Sequence, residues 1–321
     1  MIKAGIVGGG GYTAGELIRI LLFHPEVKLT SVMSNSQAGK ILSETHHDLI
    51  GDTDLKFSDK FDPDVDVVFL CRGHGQSQPF LEEHKFGDDT TVVDLSRDFR
   101  MEDGTHNFTY GLPELQREKI KSTKRIANPG CFATAMQLCL LPLAKAKLLK
   151  DEVHINGITG STGAGQSKLD TTHFSWRNNN ISVYKAFNHQ HLTEVNQSID
   201  MLQGKFDKHI NFIPMRGDFT RGIFISMYTK TDKSEAELVN LFKAYYADHP
   251  FTHVSDENIA IKQVVNTNKA ILHVEKHNGK VFVTSIIDNL LKGASGHAVQ
   301  NMNLSFGLKE TTGLNLKSTV F

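Results

Sequence analysis

Short runs of β-branched and aliphatic residues alternate with helically spaced stretches through the first half of the chain. Lys3–Val7, Val27–Met33, Asp66–Leu70, Thr91–Asp94 and Arg125–Ala127 predict strands, and Ala14–Phe23 predicts a helix between the first two. Strands separated by helices in this way point to a parallel sheet built from βαβ units. A further helix is expected from about Cys131, where Met136, Cys139, Leu140 and Leu143 share one face.

The second half is patterned differently. Asn278-Gly279 lies between two β-rich runs, Ala270–Lys276 and Lys280–Ile287, which is a hairpin signal because a tight turn there needs positive φ at both positions. With Gly222–Thr229 these runs predict a mixed or antiparallel sheet. Ser234–Tyr246 reads as a helix opened by a capping box, and a last amphipathic helix is expected from about Gly293. The fold class is therefore α/β in the first part and α+β in the second. The expected boundary falls near 148–152, after the Cys131 helix, giving domains over 1–150 and 151–321; the last helix is expected to pack back on the first.

Composition narrows the function. Of 321 residues 39% are hydrophobic and 22% charged, with a formal net charge of −1, so nothing favours nucleic acid or an anionic membrane as partner. The N-terminal run lacks the flank and apolar length of a signal peptide, and no segment approaches a membrane span. Cys71, Cys131 and Cys139 are too few and too scattered for a disulfide framework or a thiolate metal site, so a reduced, cytoplasmic protein is expected, with no metal.

Gly8-Gly9-Gly10-Gly11-Tyr12-Thr13-Ala14-Gly15 sits between the first strand and the first helix. A Rossmann unit needs glycines at that place, because the backbone must turn tightly and approach a pyrophosphate closely at a helix N-terminus. Gly8, Gly10, Gly11, Tyr12, Thr13 and Ala14 are accordingly candidate cofactor contacts. The second strand ends in Ser34-Asn35-Ser36-Gln37-Ala38-Gly39-Lys40 without the acid that usually holds the ribose hydroxyls of NAD. Ser34 and Ser36 suit a 2′-phosphate better, which favours NADP(H).

Asn128-Pro129-Gly130-Cys131 follows a strand and opens a helix. The positive end of a helix favours thiolate over thiol, and thiolate is the form that attacks carbonyl carbon. Cys71 and Cys139 read as structural. A thiol nucleophile needs a proton partner, and 16 histidines make composition no guide. His189-Gln190-His191-Leu192-Thr193-Glu194, a polar loop entering a helix, is placed to present an imidazole.

Taken together, these blocks resemble the N-acetyl-γ-glutamyl-phosphate reductase family. Gly8–Glu16 resembles its cofactor loop; Phe69–Gly75, Asp94–Arg100 and Tyr110–Glu114 resemble further signatures. Asn128–Thr134 is similar to the nucleophile motif, and Gly160–Gly165, with Ser161, to the loop after it. His189–Glu194 resembles a His-Arg-His-x-Pro-Glu motif whose second histidine is the acid/base, here His191. Asp288–Ala294 and Gly296–Gln300 resemble the segment at the nicotinamide end of the cofactor, which includes Asn289 and Gly293.

The resemblance runs in order from residue 5 to about 307. It implies a Rossmann domain, a catalytic and oligomerisation domain, and a homodimer or homotetramer. The reaction it implies is reduction of an acyl phosphate to an aldehyde through a thioester on Cys131, with release of inorganic phosphate. Ser161, His189, Arg221 and Arg100 are the expected substrate contacts, since a guanidinium pairs with phosphate or carboxylate through two hydrogen bonds. Gly73 stands where the family has proline, Gln190 where it has arginine, and Phe212–Gly222 lacks the Pro-His-Leu of the pattern. Met215 falls near the expected acyl-amino end, which leaves N-acetyl and N-succinyl substrates both open. Aspartate-semialdehyde dehydrogenase, a cofactor-free Cys/His hydrolase or acyltransferase, and a non-catalytic nucleotide sensor are the rival readings.

Overall fold

The computed structural model describes residues 1–319. It divides into two compact units, Met1–Pro129 with Ala294–Asn315, and Gly130–Gly293 with the stretch from Leu316. The first holds a six-stranded sheet of β1 (Ile2–Val7), β2 (Val27–Met33), β3 (Val67–Leu70), β4 (Thr91–Asp94), β5 (Thr109–Tyr110) and β6 (Arg125–Ala127). Strand order is β2-β1-β3-β4-β6-β5 and every pairing is parallel. β3 and β4 are buried along their whole length, which is why they read as unbroken apolar runs. The helices between strands are α1 (Tyr12–Leu22), α2 (Ser77–Glu83) and α3 (Pro113–Ser122). β2 lies on one side of β1 and β3 on the other, so strand order reverses there. In such sheets the crevice at the carboxyl ends of these strands is where ligands bind.

The second unit carries a seven-stranded sheet of β7 (Val153–Thr159), β8 (Ser182–Val183), β9 (Ile210–Arg216), β10 (Ile223–Lys230), β11 (Thr252–Ser255), β12 (Ala270–His277) and β13 (Lys280–Ile287). Its order is β11-β12-β13-β10-β7-β9-β8, with β7–β9 and β11–β12 parallel and the other pairs antiparallel. Asn278 and Gly279 turn the β12–β13 hairpin with φ of 48° and 75°, as a mirror-image turn requires. The helices are α4 (Cys131–Lys145), α5 (Phe174–Arg177), α6 (Leu192–Gln203) and α7 (Glu235–Tyr246). Ser234 Oγ accepts from Glu237 N while Glu237 Oε2 accepts from Ser234 N, completing the capping box on α7. Ile155, Phe212, Ile225, Met227, Leu272 and Val283 alternate along their strands and build one core with α4 and α7.

Two expectations change here. The division falls before α4, at Pro129/Gly130, and not near residue 150. The cause is that α4 is buried from Phe132 through Ala144, not on one face only, and packs against β10, β13 and α6. The last helix, α8 (Ser295–Ser305), returns to the first unit but is not amphipathic, being buried throughout Ser295–Leu304. Its polar residues are internal hydrogen-bonding groups: Asn301 Nδ2 donates to Gly111 O and Asn128 Oδ1, and Asn303 Nδ2 to Glu310 O and Thr312 O. Among the described residues no helix is long and apolar enough to cross a membrane.

Candidate active site

In the first unit the glycine loop lies directly on the core. Gly8 has φ +93°, and a Cβ there would stand 2.6 Å from the Cys71 carbonyl. The Gly8 and Gly9 N–H groups both donate to Met33 O, at 3.0 and 2.8 Å. Gly11 differs. Its φ of −90° needs no glycine, and a Cβ would meet nothing within 4 Å. The protein itself therefore makes no demand for glycine at the cap of α1. A bare backbone there suits a ligand that must come close to the open N–H groups of Tyr12, Thr13 and Ala14. Ser34 is buried beside Gly10, Ser36 and Lys40 are exposed, and Lys40 Nζ donates to Gln37 Oε1 at 3.0 Å. These groups fit a dinucleotide.

In the second unit Gly130 caps α4 and Cys131 is its first residue. The first turn holds no acid of its own, so the helix dipole acts unopposed within it. A buried carboxylate arrives from α6 instead: Glu194 Oε2 accepts from Gly130 N at 2.9 Å. Gly293 passes so close that a Cβ would lie 2.8 Å from Cys131 Cβ and 2.5 Å from Asn289 O, which explains the glycine. Cys131 is half-buried. Burial pushes the Cys71 thiol up to about 12, and it raises Cys139 as well, so these two are protonated and inert at neutral pH.

Cys131 opens into a cavity of about 150 Å³ shared with Tyr184, Lys185, His189, His191 and Arg216. His189 Nδ1 accepts from His191 N at 3.3 Å, which leaves the ring proton on Nε2. Burial, aided by Lys185, lowers His189 to about 4, so the ring is neutral at neutral pH. His191 Nε2 stands 4.0 Å from Glu194 Oε1, close enough for that carboxylate to pair with an imidazolium. Burial and the nearby Cys131 keep the Tyr184 phenol protonated. The Arg216 guanidinium lies 4.5 Å from the Tyr184 ring centroid and donates from Nη1 to Thr171 Oγ1 at 3.1 Å.

The sequence expectations for Cys131, His189 and His191 meet in this cavity; those for the arginines do not. Arg221 binds the fully buried Asp288 through Nε and Nη2, at 3.0 and 3.3 Å, because a carboxylate without solvent needs a compensating charge. Arg100 is buried in the first unit, where Nε donates to Asn128 O and Nη2 to Leu95 O. Arg216 and Lys185 are the cations that line the cavity. Asn289 braces two loops, accepting from Gly222 N and donating to Thr162 Oγ1, and Ser161 N donates to Phe219 O. Sequence reasoning did not single out Glu194, Tyr184, Lys185 or Arg216. The motif containing Glu194 and the segment containing Arg216 were visible, but Tyr184 and Lys185 belong to no local pattern and meet Arg216 only through the β8–β9 pairing.

Comparison with known proteins accords with both halves of this arrangement. Residues 3–123 match the semialdehyde dehydrogenase NAD binding domain, and residues 131–289 the semialdehyde dehydrogenase dimerisation domain. N-acetyl-gamma-glutamyl-phosphate reductase of Christiangramia forsetii is 57% identical over the full length of both chains, and that of Flavobacterium johnsoniae 56%. The fold matches aspartate semialdehyde dehydrogenase II of Vibrio cholerae with a TM-score of 0.72, at 16% identity over 96% of this chain and 98% of that one. A glycine-loop α/β unit, a helix-capped cysteine beside two histidines, and full-length identity above one half place the chain in the N-acetyl-γ-glutamyl-phosphate reductase family of semialdehyde dehydrogenases.

Proposed function

We propose that this chain reduces N-acetyl-γ-glutamyl phosphate to N-acetylglutamate 5-semialdehyde, releasing inorganic phosphate, in arginine biosynthesis in the cytoplasm. The observation that carries the reading is the cavity in which Cys131, His189 and His191 meet two cations. Cys131 thiolate attacks the γ-acyl carbon, a carbon–sulfur bond forms, and the carbon–oxygen bond to phosphate breaks. Arg216 and Lys185 hold the substrate's carboxylate and phosphate. Amides of the first turn of α4 stabilise the oxyanion, the Gly130 amide being engaged by Glu194. Gly8–Ala14, with Ser34, Ser36 and Lys40 toward the 2′-phosphate, would hold NADPH, which when bound would supply the hydride that the thioester carbonyl carbon accepts. His191 moves the proton of the tetrahedral adduct as Cys131 leaves, with Glu194 balancing the imidazolium. Neutral His189 donates from Nε2 to a substrate oxygen.

Asn289 and Gly293, the latter passing beside Cys131, would lie toward the nicotinamide end of the cofactor, as the family resemblance implies. The chain acts as a homodimer or homotetramer through its second unit. Six exposed large apolar side chains between Leu169 and Phe187, Trp176 among them, offer a surface for that. Phosphate-dependent reduction of NADP⁺ and of NAD⁺, measured with N-acetylglutamate semialdehyde, its N-succinyl analogue and aspartate semialdehyde, tests the proposal. NADP⁺ reduction with an N-acylglutamate semialdehyde is expected, and the preferred one names the acyl group. Turnover of aspartate semialdehyde alone would overturn the substrate assignment.

A further inference from the structure

His46 follows the second strand in a short turn of chain, away from every motif above. We infer that it is a positioning residue for the cofactor loop: it fixes the Gly9–Gly10 peptide so that the loop meets a pyrophosphate with a donor and not an acceptor. The role rests on the reading of Gly8–Ala14 as the dinucleotide loop.

The ring is buried, and its Nε2 lies 2.7 Å from Gly9 O. A carbonyl oxygen only accepts, so the ring proton is on Nε2. Peptides are planar and this one is trans, so Gly10 N–H points opposite to Gly9 C=O. With the carbonyl drawn toward His46, the Gly10 N–H faces away from the ring. Were the peptide flipped, an oxygen would face the phosphates and repel them. The loop cannot hold this orientation alone, since glycine gives the backbone wide freedom on both sides of the peptide.

The surrounding residues are shaped to seat the ring. Gly15, on the first turn and a half of α1, would carry a Cβ only 2.7 Å from His46 Nδ1. The usual reason for a glycine at such a place is close packing of helix on strand; here it is room for an imidazole. Phe57 closes the other side, 6.1 Å between ring centroids, and its own ring also leaves no space for a Cβ on Gly9. The backbone holds His46 in place, its N–H donating to Leu42 O and its carbonyl accepting from Leu49 N.

The test compares His46→Leu, His46→Gln and Gly15→Ala with the unaltered chain. NADPH affinity is read by fluorescence titration, and KM and kcat by turnover. His46→Leu loses the donor but keeps the bulk, so Kd and KM for NADPH are expected to rise roughly tenfold, the loss of one hydrogen-bonded contact. The kcat at saturating NADPH, and alkylation of Cys131 by iodoacetamide, should stay near the unaltered values. His46→Gln, whose amide reaches the Nε2 position, should recover most of the affinity. Gly15→Ala should reproduce the loss by pushing the ring away. A His46→Leu chain that binds NADPH normally, or a His46→Gln chain no better than His46→Leu at equal melting temperature, would overturn the role. An unaltered chain that binds neither NADPH nor NADH would instead overturn the loop reading, and this inference with it.

Discussion

Replacing Arg216 with leucine separates the geometric account of the substrate site from the expectation formed on sequence. Arg216 is half-buried, stacks on Tyr184 and lines the cavity with Cys131, whereas Arg221 is committed to Asp288. A charge-assisted pair between a guanidinium and a carboxylate or phosphate contributes about 1.5–3 kcal/mol. At about 1.4 kcal/mol per factor of ten, Arg216→Leu should lower kcat/KM for the acyl phosphate roughly 10- to 150-fold, chiefly through KM. Leucine keeps an apolar contact with Tyr184, so the melting temperature should move little. A second reading needs no substrate. Iodoacetate is an anion and iodoacetamide is not, so the ratio of their rates at Cys131 reports the local positive charge; it should fall in Arg216→Leu. An unchanged KM together with an unchanged alkylation ratio would refute the placement of the anion at Arg216.

Other outcomes follow from the same geometry. Cys131→Ala should abolish turnover while leaving NADPH binding intact, and at neutral pH iodoacetamide should modify Cys131 but neither Cys71 nor Cys139, as peptide mapping would show. Glu194→Gln keeps the shape and removes the charge beside His191 and Gly130 N, so kcat should fall at least tenfold with NADPH affinity unchanged in titration. His189 is lowered from 6.5 to about 4, so the unfolded chain binds its proton first as pH falls. Its contribution to stability is whole above about pH 6.5 and lost toward pH 4, and His189→Asn should flatten that part of a denaturation-against-pH curve. Trp176, the only tryptophan, is half-exposed on the apolar stretch Leu169–Phe187; its emission should be shielded from acrylamide in the assembled protein and exposed on dilution to monomer.

Most of the fold was legible because periodicity reports burial. β2, β4, β6 and β13 begin and end where the apolar runs do, and the Asn278-Gly279 turn needed only its two residue types. Reading failed where polar residues are internal. α8 carries Ser295, His297, Gln300, Asn301 and Asn303 inside the first unit, and a hydropathy pattern takes such residues for a solvent face. α4 misled in the other direction: its one-face pattern hid a helix buried all round, and with it the position of the boundary. The places of Cys131 and of the glycine loop at the starts of helices were legible because a helix N-terminus can be read from local sequence. Arg216 was not, because what separates it from Arg221 is what each one meets in the fold, the Cys131 cavity and Tyr184 for Arg216 and the buried Asp288 for Arg221. His46, one of 16 histidines, has no local signal at all; Gly15 gives it meaning only once the chain is folded.

The central claim is a covalent acyl group on Cys131. Mixing the enzyme with N-acetyl-γ-glutamyl phosphate in the absence of NADPH, then measuring phosphate release and intact mass, tests it most directly. The account predicts a burst of phosphate close to one equivalent per chain and the mass of one N-acetylglutamyl group on the peptide containing Cys131, lost on addition of NADPH. No burst and no adduct, in a chain that still turns over with NADPH present, would contradict it.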